Sequence, residues 1–154
     1  MPDATPSERQ RIVLLVGLPG SGKSTWLEEK GIVPLSSDTV RLLLADDPTD
    51  QSIHFRVFTT LRYLLRQRLA IGRPVTYIDA THLTPEERAP YIHIARSYGC
   101  DIEAVFFDVP AEVCMDRNRR RDRIVPDEAI ERMAQRLVPP QASEGFSRIA
   151  VVNC

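Results

Sequence analysis

The octapeptide Gly17-Leu18-Pro19-Gly20-Ser21-Gly22-Lys23-Ser24 matches the pattern G-x-x-x-x-G-K-[ST] at each required position. An apolar run, residues 11–16, precedes it and a helical pattern follows it, which is the context that a phosphate-binding loop (P-loop) needs. Its glycines let successive backbone N–H groups point into one hollow around phosphate oxygens, and the following helix adds its positive end. We therefore predict a nucleotide site here; the alternative is a glycine-rich turn without a ligand.

The residue types in this loop predict individual roles. Lys23 places a cation on the β and γ phosphates, Ser24 offers its hydroxyl to Mg²⁺, and Thr25 is placed to reach an α-phosphate. The expected cofactors are ATP and Mg²⁺, held by Gly20, Ser21, Gly22, Lys23, Ser24 and Thr25. Phosphoryl transfer needs more than this: an acceptor-activating carboxylate, an acid near the metal and further positive charge.

Outward from the loop, short apolar runs alternate with helical patterns. Continuous apolar runs are typical of strands that are covered on both faces. The predicted strands cover residues 11–16, 32–35, 75–79, 102–109 and 148–152, and the predicted helices cover 22–30, 39–45, 53–71, 85–98, 111–118 and 127–136. This alternation predicts a three-layer α/β fold with right-handed crossovers and one parallel sheet of five strands. The phosphate-binding loop resembles that of the kinase-type P-loop NTPases, and this resemblance implies the strand order 2-3-1-4-5.

Length and composition argue against several other classes of protein. With 154 residues we expect one domain over 11–154 behind a short loose tail, residues 1–10. No apolar run reaches the roughly 18 residues of a membrane span, and the N-terminus lacks the apolar stretch of a signal peptide. Three scattered cysteines argue against a disulfide framework or a zinc site, so we expect a cytoplasmic protein. The net charge of −1 excludes a global attraction to nucleic acid, and any polyanion site must be local.

Two acids follow predicted strands and are candidates for the acceptor side. Asp38 comes after the second strand, at the sheet edge where parallel strands place their ligands, and could accept a proton from an attacking hydroxyl. Arg41 follows one helical turn later and could hold an acceptor phosphate or carboxylate. The same spacing also fits an N-cap at Ser37 or Asp38 with a solvated Arg41. Asp79 ends the third strand, a position near the metal or the acceptor, although it could simply cap the next turn.

Five arginines lie between residues 117 and 123 and predict a lid over ATP, at about residues 117–126. At this density they repel one another unless an anion lies among them, and guanidinium groups at the β and γ phosphates would stabilise the transition state. A solvated charged loop is the alternative.

Together these motifs resemble those of the P-loop polynucleotide 5′-hydroxyl kinases, the family of the phage end-healing kinase and of the kinase modules of bacterial repair proteins. The likeness covers most of the chain. It rests on GLPGSGKSTW at 17–26, DTVR at 38–41, DATHLTPEER at 79–88, VFFDVP at 105–110, Arg117-Asn118 and Val125-Pro126.

The resemblance implies a role for each matching residue. Lys23 and Ser24 would handle the phosphates and the metal, Asp38 would be the general base for the 5′-hydroxyl, and Arg41 would contact the acceptor's phosphate or the transferring group. Arg117 and Arg121 would be the lid arginines, which makes Lys23, Asp38, Arg41, Arg117 and Arg121 the expected catalytic set.

The sequence departs from the family in places. Ala80 stands where the phage member has threonine, and the lid is about one residue shorter. No D-x-D-x-T phosphatase motif is present, so we expect a stand-alone kinase. The same superfamily also holds gluconate-type sugar kinases and zeta-like toxins that act on nucleotide sugars.

The sequence-based hypothesis is therefore an ATP-dependent kinase for the 5′-OH end of DNA or RNA, which suggests a part in nucleic acid repair. The alternatives are a small-molecule P-loop kinase, for a sugar, nucleoside or nucleotide sugar, and a non-catalytic ATP-binding module. Strand preference, donor selectivity and oligomeric state, a homo-oligomer included, stay open at this point.

Overall fold

A computed structural model describes residues 9–121 and 125–153, whose strands form one five-stranded sheet. The strands are β1 (Arg11–Val16), β2 (Leu35–Ser36), β3 (Val75–Asp79), β4 (Asp101–Asp108) and β5 (Arg148–Asn153). All neighbouring strands are parallel and their order is β2-β3-β1-β4-β5. The predicted sheet and its strand order are confirmed.

In the described part of the chain, six α-helices connect or follow these strands. They are α1 (Lys23–Glu29), α2 (Ser37–Ala45), α3 (His54–Ala70), α4 (Pro85–Tyr98), α5 (Ala111–Arg119) and α6 (Asp127–Arg136), and a short 3₁₀ helix, Ala142–Glu144, precedes β5. Helix α4 begins where the sequence predicts, because the Thr84 side chain accepts a hydrogen bond from the Glu87 N–H at 3.2 Å and Pro85 occupies the first turn.

Strand β1 lies at the centre of the sheet and is buried on both faces. Ile12, Leu14 and Val16 pack into one apolar cluster with residues of α3 and α4, whereas Val13 and Leu15 pack into another with α1. Because successive side chains of a strand point to opposite faces, a strand covered on both sides must be apolar throughout. This explains the continuous apolar run before the P-loop.

Strand β2 is shorter and later than the predicted 32–35. It pairs with β3 only through Leu35↔Ile78 and Ser36↔Asp79, because Pro34 has no N–H to donate to a ladder. Helix α2 then begins two residues before the predicted start. Its N-cap is Ser36, whose side chain accepts a hydrogen bond from the Thr39 N–H, so the alternative of a cap at Ser37 or Asp38 is wrong.

The chain ends and the lid are described only in part. Most of the expected tail (residues 1–8), residues 122–124 of the expected lid, and Cys154 lie outside the described residues. Gln10 is not loose, because its side chain donates hydrogen bonds to the carbonyl oxygens of Leu69 and Arg73. None of the helices within 9–121 and 125–153 is long and apolar enough to cross a membrane.

Candidate active site

A cleft of about 930 Å³ lies at the carboxyl ends of the parallel strands. In parallel sheets this edge is where ligands bind, since the loops that follow the strands converge there. The P-loop, the start of α2, the end of β3, the C-terminal end of α5 and part of α6 line it. Its charged lining residues are Lys23, Arg41, Arg117, Arg120, Arg121, Arg136, Glu29, Asp38, Asp79 and Glu87.

The P-loop backbone has a shape that only glycine allows at two positions. Gly20 has φ +83° and Gly22 has φ +102°, both in the left-handed region that side chains disfavour. A Cβ atom on Gly20 would also lie 2.4 Å from the carbonyl oxygen of Cys114. No side chain of the described residues caps α1 at Gly22, so its first-turn N–H groups remain available to an anion.

The side chain of Lys23 binds the backbone of its own P-loop. Its Nζ donates hydrogen bonds to the carbonyl oxygens of Gly17 at 2.7 Å and Leu18 at 3.0 Å. Burial lowers the pKa of Lys23, and the negative charge of Asp79 partly offsets that decrease. Burial raises the pKa of Asp79, and the positive charge of Lys23 partly offsets that increase. The predicted phosphate-binding lysine and the acid at the end of β3 therefore act on each other within the cleft.

Asp38 and Arg41 line the same cleft from the first turn of α2. Arg41 Nη1 lies 3.4 Å from Asp38 Oδ1, and the Arg41 side chain is 5% exposed, against 46% for Asp38. The alternative of a solvated Arg41 is wrong. The Arg41 Nε has no hydrogen-bond partner among the described residues, and a buried guanidinium in this state favours an anion beside it.

Three of the predicted lid arginines reach the cleft, Arg117, Arg120 and Arg121. A Cβ on Gly22 would lie 3.6 Å from Arg117 Nη1, so Arg117 lies beside the P-loop. The charge of Arg121 contributes to lowering the pKa of Lys23, after burial as the main cause. Arg119 instead forms an ion pair with Asp127 and does not line the cleft.

The oxygen donors in the cleft fit Mg²⁺. The hydroxyl of Ser24 and the carboxylate of Asp79 both line it, and Mg²⁺ is usually held by one or two protein oxygens, substrate phosphates and water. Within the described parts of the chain there is no cluster of three or more histidine, cysteine or acidic side chains that would hold a metal by itself. A magnesium ion here would therefore depend on the nucleotide phosphates.

Several lining residues were missed from the sequence. His54 and Phe58 come from α3 with ring centroids 4.6 Å apart, and Glu87 accepts hydrogen bonds from Arg136 at 2.8 Å and from the Leu83 N–H at 2.7 Å. The i, i+4 spacing of His54 and Phe58 places them on one helix face, but nothing in the sequence shows that this face borders the cleft.

The family model described as an AAA domain, AAA_33, matches residues 12–140 of the chain. Three curated relatives have low identity. Transcription factor bHLH140 of Arabidopsis thaliana is 28% identical over 92% of this chain and 16% of its own length. The bifunctional polynucleotide phosphatase/kinase of Schizosaccharomyces pombe is 26% identical over 95% of this chain and 34% of its own length. The human L-seryl-tRNA(Sec) kinase is 29% identical over 59% of this chain and 27% of its own length. The chain thus spans about a third or less of each of these relatives.

A crystal structure from Chloroflexus aurantiacus has the same fold. Its TM-score is 0.72 at 14% identity, and the match covers 95% of this chain and 86% of that one. At this identity the match establishes the architecture alone, the parallel sheet and the helices around it.

Proposed function

The chain belongs to the AAA_33 family and has the P-loop kinase fold, and from this premise we propose that it transfers the γ-phosphoryl group of ATP to the 5′-hydroxyl end of DNA or RNA. One observation carries the proposal: the carboxylate of Asp38, ion-paired with buried Arg41, lines the same cleft as Lys23. A donor phosphate and an acceptor hydroxyl can meet between them.

At the donor end, the glycines and first-turn N–H groups of α1 hold the phosphates. Lys23 would exchange its two carbonyl partners for β and γ oxygens, and Ser24 and Asp79 would hold Mg²⁺. That ion would neutralise charge on the phosphates. Arg117 and Arg121 add positive charge to the transferring group.

At the acceptor end, Asp38 takes the proton of the hydroxyl as its oxygen attacks the γ-phosphorus. The new P–O bond forms while the bond to the β-phosphate oxygen breaks, so the products are a 5′-phosphate and ADP. Arg41 holds the acceptor's neighbouring phosphate. Positioning and electrostatic stabilisation supply most of the catalysis.

Arg41 favours a polynucleotide over a neutral sugar. Among the described residues its buried guanidinium has one hydrogen bond, to Asp38 at 3.4 Å, and a phosphodiester would supply the anion that a neutral sugar lacks. The similarity to a polynucleotide phosphatase/kinase supports the same choice.

The test uses labelled ATP, Mg²⁺ and a 5′-OH oligonucleotide with Asp38→Asn. We expect the variant to keep its ATP affinity and to transfer phosphate about 10²- to 10⁴-fold more slowly. Asp46→Asn is the matched control, because Asp46 ends the same helix, is exposed and lies outside the cleft. Transfer by the wild type only to a sugar or nucleoside would show a small-molecule kinase, and ATP binding without turnover on any acceptor would show a binding module.

A further inference from the structure

A side pocket of about 270 Å³ adjoins the acceptor end of the cleft. It shares His54, Phe58, Thr81 and Glu87 with the cleft lining. Since a water occupies about 30 Å³ of liquid, the pocket has room for roughly nine waters, comparable with one heterocyclic base. Its other lining residues are Phe55, Arg62, His82, Glu86 and Pro90.

The walls of this side pocket suit a flat aromatic ring. His54 and Phe58 form a tilted pair on one side, with ring centroids 4.6 Å apart. Arg62 also lines it and makes no ion pair or hydrogen bond with any residue that the structure describes. Aromatic faces and guanidinium planes are the groups on which unstacked bases bind.

His82 is a buried, neutral part of the pocket wall. Its Nδ1 lies 2.6 Å from the carbonyl oxygen of Leu15, which can only accept, so Nδ1 carries the proton. Burial lowers the pKa of His82 to about 4, so the ring is neutral and Nε2 is an acceptor. Nε2 has no partner within the described part of the chain, although the residue is only 3% exposed. As a neutral ring, His82 adds no charge to the pocket wall.

The position of the side pocket relates it to the acceptor. His54 lines both the cleft and the side pocket. Burial lowers its pKa and the charge of Arg41 lowers it further, so His54 lies close enough to Arg41 to feel that charge. In a nucleoside the 5′-hydroxyl and the base are only a few atoms apart. A nucleoside with its hydroxyl at Asp38 would therefore place its ring in the side pocket. A phosphate in the pocket would lie near two acidic lining residues, Glu86 and Glu87, as well as near Arg62, whereas a neutral base would not be repelled by these acids.

We propose that this side pocket binds the terminal nucleobase of the acceptor, stacked on Phe58 beside Arg62. The proposal rests on the proposed function and adds that recognition of the end includes its base as well as its hydroxyl and phosphate.

The experiment compares two 5′-OH oligonucleotides, one with a normal terminal nucleotide and one with an abasic terminal sugar. For the wild type we expect kcat/KM to favour the base-bearing end by about fivefold to a hundredfold, the range of base–aromatic stacking. Phe58→Leu and Arg62→Gln should reduce this ratio, and Arg66→Gln should not, because Arg66 is exposed one turn further along α3 and lines neither cavity.

A binding measurement separates this inference from the proposed function. A 5′-terminal 2-aminopurine, whose fluorescence falls when it stacks, should be quenched by the wild type and less so by Phe58→Leu. If both oligonucleotides are phosphorylated with nearly equal kcat/KM, the inference is overturned while the proposed kinase function stands. If neither oligonucleotide is phosphorylated, the proposed function fails; quenching that depends on Phe58 would then still support the pocket, and absence of quenching would overturn it.

Discussion

Acidification to about pH 5 should destabilise the protein through one buried side chain, His82. In the unfolded chain a histidine has a pKa near 6.5, whereas burial lowers the pKa of His82 to about 4 in the folded state. Between these values the unfolded state binds more protons, so stability is lost as the pH falls from about 6.5 towards 4. The linkage relation gives a loss of about 2 kcal/mol between pH 7 and pH 5 from this residue alone.

The measurement is urea unfolding of the wild type and of His82→Asn at both pH values. Asparagine tolerates the φ of +49° at this position and titrates nowhere in this range. We expect the wild type to lose about 2 kcal/mol more than the variant. NMR titration of the histidine rings tests the same point without a variant. Equal losses in the two proteins, or a titration of His82 near 6.5, would refute the reasoning.

Three other substitutions test the loop, the core and the lid. Gly20→Ala should destabilise the protein and weaken ATP binding, because the φ is positive and the new Cβ would lie 2.4 Å from the Cys114 carbonyl oxygen. Gly31→Ala is the control: its φ is +67° but no atom lies within 4 Å, so it should cost only about 1 kcal/mol. Arg88→Met removes a fully buried guanidinium and should cost about 3–5 kcal/mol in thermal unfolding. Arg117→Met should lower kcat about a hundredfold or more. Arg119→Met, the surface control for the last two, should cost about 1 kcal/mol or less and leave kcat unchanged.

The fold was predictable because its signals are local. The apolar run of β1, the P-loop and the capped start of α4 each follow from a few neighbouring residues. The strand order also agrees with the prediction. The boundary of β2 was not predictable from its apolar residues, because its length depends on pairing with Ile78 and Asp79, which lie more than forty positions away in the chain.

The candidate site was predictable only in part, because several of its contacts join residues that lie far apart in the chain. The P-loop and Asp79 stand at strand ends, Asp38 and Arg41 lie in the helix that directly follows β2, and the topology brings all of them to one cleft. His54 and Phe58 belong to α3, where their spacing predicts packing just as well as binding. The buried ion pair of Arg88 with Glu144, with Nε–Oε1 at 2.8 Å and Nη2–Oε2 at 3.0 Å, joins residues that no sequence pattern connects.

The boundary between β2 and α2, which the sequence misplaced, also positions the acceptor side of the cleft. Had α2 begun at Thr39, Asp38 would lie in a loop with no defined direction. Because Ser36 caps the helix, Asp38 and Arg41 both belong to its first turns, three positions apart and on the same side. The short β2 thus gives the carboxylate a rigid support beside the cleft, and the buried Arg41 holds it there. Both side chains therefore line the cleft that also contains Lys23, and the proposed chemistry depends on this start of α2.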